Sequence, residues 1–216
     1  MIKTLSPIKT DSRVKLFLLF TLILVLLSSF LLLYLNSTFL VTAIIDGDTL
    51  RLDDGRRIRL LSVDAPDESL CMGNKAKEML ENLTLNKRIS LKSALIDDYG
   101  RTVANIYVFR KLISLELVEK GYARFTSGKN PEFDKLKKAH EYAKTHQVGI
   151  YSPLCRQKKA IDDCDIKGNI RKGVKTYYTQ NCRAYSQVII DKSYGDLWFC
   201  TEREAQDLGF QKAANC

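Results

Sequence analysis

Three carboxylates and two guanidinium groups punctuate the first half of the chain at the ends of short apolar runs. They are Asp46, Asp48 and Asp64, with Arg59 and Arg101. The first two lie in Ile45-Asp46-Gly47-Asp48-Thr49-Leu50. Arg59 and Asp64 lie in Ile58-Arg59-Leu60-Leu61-Ser62-Val63-Asp64-Ala65-Pro66-Asp67, and Arg101 closes Asp98-Tyr99-Gly100-Arg101. Carboxylate oxygens gather a hard cation such as Ca²⁺. Guanidinium forks grip phosphate oxygens through two parallel hydrogen bonds. The combination points to metal-assisted hydrolysis of a phosphodiester.

Such side chains need a rigid frame, and the surrounding pattern supplies one. Residues 39–45 read as a strand, Asp46-Gly47 as a turn, and Thr49–Leu52 as a second strand. Asp53-Asp54-Gly55 is a hairpin turn into Arg57–Val63, whose alternation turns Ile58, Leu60 and Val63 inward and Arg59 the other way. Asp64-Ala65-Pro66 stops that strand, because proline cannot continue a ladder. Residues 74–83 have helical spacing, 88–92 and 102–109 read as strands, and 112–120 and 132–146 as helices. Asp48 and Asp64 then flank one hairpin, a topology that can bring both to one rim. Taken singly, each is an ordinary turn-capping aspartate. Five short strands with helices predict an α+β fold built on an OB-like barrel, an architecture that often binds nucleic acid.

The order and spacing of these motifs resemble the staphylococcal nuclease (thermonuclease) family over roughly residues 41–155. The resemblance implies a five-stranded barrel with three helices and a nuclease acting on DNA or RNA with Ca²⁺. It implies that Asp48, Asp64 and the backbone carbonyl of Ala65 hold the cation, with Asp46 a further candidate. It makes Arg59 and Arg101 the catalytic phosphate-binding arginines and puts Tyr99 beside the substrate phosphate. Asp67 falls where the family has a glutamate that serves as general base. The aspartate is one methylene shorter, and a base must come within hydrogen-bond reach of its water. Ala65 stands in place of a threonine, a mild change for a backbone contact. The resemblance also implies a disulfide between Cys71 and Cys155.

Leu16–Leu35 is an uncharged, apolar run of twenty residues, long enough to cross a bilayer as a helix. Lys3, Lys9, Arg13 and Lys15 precede it, so residues 1–15 are expected to be a cytoplasmic basic tail and the rest extracytoplasmic. No A-x-A-like cleavage site follows the run, which favours a single-pass signal anchor. Cleavage and secretion are the alternative. The anchor leads within a few residues into the barrel domain, 39–155.

Residues 156–163 are polar and read as a linker to a small module, 164–216. Its Cys164-Asp165-Ile166-Lys167-Gly168-Asn169-Ile170 and Trp198-Phe199-Cys200-Thr201-Glu202-Arg203-Glu204-Ala205 resemble a module that follows bacterial thermonuclease-like domains. Outside the membrane, six cysteines favour disulfides. The late four, Cys164, Cys182, Cys200 and Cys216, lack a C-x₂-C pair, which argues against a zinc ribbon. Their pairing is open, since six cysteines allow fifteen connectivities. The net charge of +9 is spread over the whole chain; it suits a polyanionic partner without demanding one. His140 and His146 lack the spacing of metal ligands, and the Asn36 and Asn82 sequons are short matches.

The leading reading is therefore a membrane-anchored, extracytoplasmic Ca²⁺-dependent nuclease. The rival from another class is a nuclease-like barrel that binds nucleic acid without cutting it, and Asp67 is the residue that separates the two. A third reading makes the chain mainly a display for its C-terminal module. No protein partner can be inferred.

Overall fold

A computed structural model describes residues 12–160, 163–214 and 216. The expected basic tail lies outside the described residues up to position 11. The chain divides into two compact units, one ending at Phe39 and one running from Leu40 to Cys216.

The first unit is helix α1 (Ser12–Ser37). Its stretch Ser12–Tyr34 is long and apolar enough to cross a membrane, with a mean hydropathy of 2.9. Leucines and phenylalanines cover every face of it and are exposed. A helix apolar all round needs apolar surroundings on every side.

The second unit takes in β1 (Phe39–Ile44) from Leu40 onward, then β2 (Thr49–Leu52) and β3 (Arg57–Leu60), joined by tight turns. A two-residue strand β4 (Val63–Asp64) and helix α2 (Gly73–Thr84) follow. The long hairpin β5 (Arg88–Ile96) and β6 (Thr102–Val108) leads through β7 (Lys111–Leu112) into α3 (Ile113–Glu119). Strand β8 (Arg124–Phe125) and helix α4 (Phe133–Thr145) complete this part. The strand order is β3-β2-β1-β5-β6-β7, and β3 also pairs in parallel with β6. That last pairing closes five strands into a barrel, which removes the exposed edges of an open sheet.

Val41, Leu50, Leu52, Ile58, Leu60, Ile89, Ala104 and Ile106 fill the barrel at 1% exposure or less. Each Leu or Ile buried there contributes about 1.5–3 kcal/mol. Helix α2 sets Ala76, Leu80 and Thr84 on its buried stripe.

The third strand is shorter than its alternation predicts. It ends at Leu60, and Ser62 takes a left-handed φ of 60°. That break turns Val63 and Asp64 away from the barrel to pair with β8, in the register Val63↔Phe125 and Asp64↔Arg124. The fifth strand runs four residues beyond the predicted Lys92, lengthening the hairpin that carries Tyr99 and Arg101.

The C-terminal module folds on β10 (Ile166–Arg171) and β11 (Val174–Tyr178), with β13 (Leu197–Phe199) and β14 (Gln211–Lys212) at the edges and helix α5 (Glu202–Asp207) between them. Ile166, Tyr177, Phe199, Ala205 and Phe210 form its core. Thr201 and Glu204 make a reciprocal capping box at the start of α5, worth about 1 kcal/mol. The polar stretch after Cys155 is partly structured. Strand β9 (Arg156–Gln157) pairs with β12 (Ile190–Asp191), so the module is bound back against the end of the barrel domain. Three disulfides join Cys71 to Cys155, Cys164 to Cys200 and Cys182 to Cys216. The last two lie within the module, whose core is too small to stand easily without staples.

Candidate active site

Asp48 enters the site because the turn before β2 is held tightly. Asp46 Oδ1 accepts the Asp48 N–H at 3.0 Å, fixing a compact aspartate turn. Gly47 lies so close to helix α2 that a Cβ there would come within 2.6 Å of the Ala76 Cβ. The backbone of Asp48 is pinned in turn by the Leu60 N–H, at 2.8 Å from its carbonyl. The Asp48 side chain is thereby driven inward, to 2% exposure.

Arg59 lies between Ile58 and Leu60, at 0% and 1% exposure, and its own side chain goes to the opposite face. There its guanidinium bridges two carboxylates. Nη1 donates to Asp48 Oδ1, and Nη2 donates to Asp64 Oδ1 at 2.7 Å. Asp48 also accepts from the Ala65 N–H at 2.9 Å and from the Thr49 hydroxyl at 2.9 Å. Asp48, Arg59, Asp64 and Ala65 thus form one contiguous constellation. Burial pushes the Asp48 carboxyl up to about 7 from 3.8, against the pull of Arg59 and the Ala65 N–H. Desolvation of the charged form outweighs the attraction of a single guanidinium.

Arg101 stands across a cleft of about 470 Å³ lined also by Asp46, Thr49, Arg56, Arg57 and Arg59. Its loop is built on Asp97, whose Oδ1 accepts the N–H groups of Tyr99 and Arg101 at 3.0 and 2.9 Å. Asp97 Oδ2 pairs with the Arg101 side chain at 2.8 Å. Arg101 is exposed on the cleft rim, and Tyr99, 84% exposed, lies with its ring 5.0 Å from the Arg101 guanidinium. On its other side Arg59 borders a second hollow of about 480 Å³, between Asp64, Leu95, Asp97 and residues 126–129.

Asp67 is exposed on a turn closed by the Leu70 N–H on its carbonyl at 2.8 Å. Gly73 packs on the same carbonyl: a Cβ there would fall 1.9 Å from the Asp67 oxygen, so only glycine permits the turn. Glu68 is tied to Lys77 at 2.7 Å. The two histidines have local partners: His140 meets the Tyr151 hydroxyl and His146 the Tyr142 carbonyl.

Among the described residues no group of three or more His, Cys, Asp or Glu side chains converges as a metal cage. The donor set at the site is nonetheless all oxygen, two carboxylates within reach of one guanidinium. That suits a hard cation that completes its shell with carbonyl oxygen, water and phosphate. The buried Asp48 carboxylate calls for more positive charge than Arg59 provides, so the residues fit such an ion.

Sequence reasoning passed over Arg56, Arg57 and Arg124. Arg56 and Arg57 both line the cleft. Arg124 is 8% exposed. Its signal was a charge between Ala123 and Phe125, next to an apolar helix, and its partners lie far away in sequence.

The second unit is thus a closed five-stranded barrel with acids and arginines gathered at one end. The chain carries a staphylococcal-nuclease-like domain: residues 57–153 match the staphylococcal nuclease homologue family. It is similar to an uncharacterized endonuclease of Haemophilus influenzae, 38% identical over 92 residues, covering 41% of this chain and 52% of that protein. A micrococcal nuclease of Shigella flexneri is 34% identical over 70 residues, covering 31% and 40%. A probable endonuclease of Nakaseomyces delphensis is 33% identical over 126 residues, covering 51% and 47%. The chain spans about half or less of the length of these relatives.

Proposed function

We propose that this protein is a Ca²⁺-dependent nuclease that hydrolyses phosphodiester bonds of DNA or RNA and is held outside the cell membrane by α1. The observation that carries the reading is the Arg59 bridge between Asp48 and Asp64, with Arg101 facing it across the same cleft. The relatives named as nucleases and endonucleases support it.

Asp48, Asp64 and the Ala65 carbonyl would hold Ca²⁺, with Asp46 fixing the Asp48 turn and a further candidate for the ion's surroundings. The ion supplies positive charge beside the reacting phosphate. Arg59 binds a phosphate oxygen pair at the bottom of the cleft, and Arg101 closes on the phosphate from the rim. Both stabilise the charge that builds on the equatorial oxygens as water attacks, because fixed donors there need no reorganisation. Asp67 accepts the proton from the attacking water and orients it. Its short side chain, on an exposed turn, makes proton transfer the slowest part of this machinery. Tyr99 lies against the nucleotide beside Arg101.

The apolar α1 and the disulfides support this location. Arg13 and Lys15 flank the apolar stretch, and positive charge stays on the cytoplasmic side. Disulfides persist in oxidising compartments. The test has two arms. Full-length protein in detergent is incubated with single-stranded DNA and with RNA, in Ca²⁺ or in chelator; cleavage only in Ca²⁺ is expected. Protease added to intact cells is expected to digest residues 40–216. Binding of DNA with no cleavage under any ion makes this a binding module, and a protease-protected barrel reverses the topology.

A further inference from the structure

The C-terminal module reaches the candidate site through Arg124. Strand pairing puts Arg124 directly opposite Asp64, and Arg124 Nη1 stops 3.9 Å from Asp64 Oδ2, beyond a direct hydrogen bond. Its other end is engaged by the module. Nη2 donates to the Ser193 hydroxyl and lies 3.9 Å from Asp191 Oδ1. The Ser193 hydroxyl and N–H both donate to Asp191 Oδ1. The guanidinium stacks 3.6 Å from the centre of the Tyr194 ring.

This corner of the module is itself rigid. Ser193 and Asp196 are 1% exposed and Asp191 is 7% exposed. Asp196 accepts the Asp191 N–H at 3.0 Å. Backbone bonds from Cys71 N–H to the Lys192 carbonyl, 3.4 Å, and from Lys192 N–H to the Cys155 carbonyl, 2.9 Å, fasten it at the Cys71–Cys155 bridge.

We infer that the module acts as a positioning device for the metal site: Asp191, Ser193 and Tyr194 hold Arg124 off Asp64, leaving that carboxylate's second oxygen free for a divalent cation. The inference rests on the reading of Asp64 as a cation ligand. A guanidinium between two carboxylates goes to whichever binds it better. With the module's carboxylate and hydroxyl in place, Arg124 is satisfied away from Asp64. Without them its fork closes on Asp64, which Arg59 already occupies on Oδ1, and the ion must displace two cations instead of one.

The test uses full-length protein in detergent, with Ca²⁺ affinity read by calorimetry and by the Ca²⁺ midpoint of DNA cleavage. Asp191→Asn and Ser193→Ala are expected to weaken Ca²⁺ binding about 10-fold, the scale of losing a group that orients a ligand. Arg124→Gln is expected to bind Ca²⁺ as tightly as wild type or more tightly, and adding Asp191→Asn to it should change nothing further. Ser193→Ala removes one hydroxyl, so it guards against a misfolded Asp191→Asn, and thermal melting checks both. A wild-type Ca²⁺ affinity in both single variants overturns the inference, as do effects that persist without Arg124 or loss of Ca²⁺ binding in Arg124→Gln. Wild type that neither binds Ca²⁺ nor cuts removes the reading of the site and this inference with it. Wild type that does both, with unaffected variants, removes the inference alone.

Discussion

The buried Asp48 carboxylate makes a prediction that separates stability from function. Its ionisation is shifted from 3.8 to about 7 by burial. In the unfolded chain it is ionised above about pH 4, so between those two values the folded state binds the extra proton. Stability from this group is therefore full below pH 4 and is lost as pH rises through 7. The rise from 3.8 to about 7 sets a ceiling on the order of 4 kcal/mol. Asp48→Asn removes the charge and keeps the shape. In chelator at pH 8 the variant should melt above wild type, by up to roughly 8–16 °C for a folded unit of this size. At pH 4 the two should coincide. Ca²⁺ at pH 8 should raise the melting temperature of wild type and leave the variant unmoved, because only wild type keeps the ligand. Calorimetric melts of both proteins in detergent at pH 4 and pH 8 give the answer. An Asn variant that melts below wild type at pH 8 in chelator refutes the reasoning: the Arg59 ion pair would then outweigh the cost of burying the charge.

Other consequences can be checked on the same protein. Asp67→Glu restores the missing methylene and should raise kcat about 10-fold or more, Asp67→Ala should lower it, and Glu68→Ala should do little because Glu68 is tied to Lys77; kcat at saturating Ca²⁺ decides among them. The Cys71–Cys155 bridge closes a separation of 84 residues, so replacing both cysteines by serine should cost about 4–5 kcal/mol in the chain-entropy model, read as a lowered denaturant midpoint.

The barrel was legible because its strands announce themselves locally. Ile58, Leu60, Leu50 and Leu52 alternate with polar residues, and Asp53-Asp54-Gly55 is a turn in almost any context. The closing pair β3–β6 was not legible, since a parallel contact between Arg59 and Val103 leaves no short-range trace. The bend at Ser62 was also hidden: a serine with left-handed backbone is selected by tertiary contacts, and here it delivers Asp64 to both Arg59 and Arg124. The candidate acids and arginines could be named from spacing and resemblance, but not the Arg59 bridge, which depends on two strand ends meeting in space. Cysteines at near-equal intervals gave no hint that Cys164 pairs with Cys200 and Cys182 with Cys216. Arg156-Gln157 read as linker because a two-residue strand has no periodicity, and its partner Ile190-Asp191 lies more than thirty residues away.

The central claim is that the cleft between Arg59 and Arg101 hydrolyses nucleic acid. The most direct measurement is single-turnover cleavage of single-stranded DNA by wild type and Arg59→Ala, in saturating Ca²⁺ and again in chelator. Wild type should cut only with Ca²⁺, and Arg59→Ala should be slower by about 10²–10³-fold while still binding the DNA. Equal rates in the two proteins, or cleavage that ignores the chelator, would contradict the account.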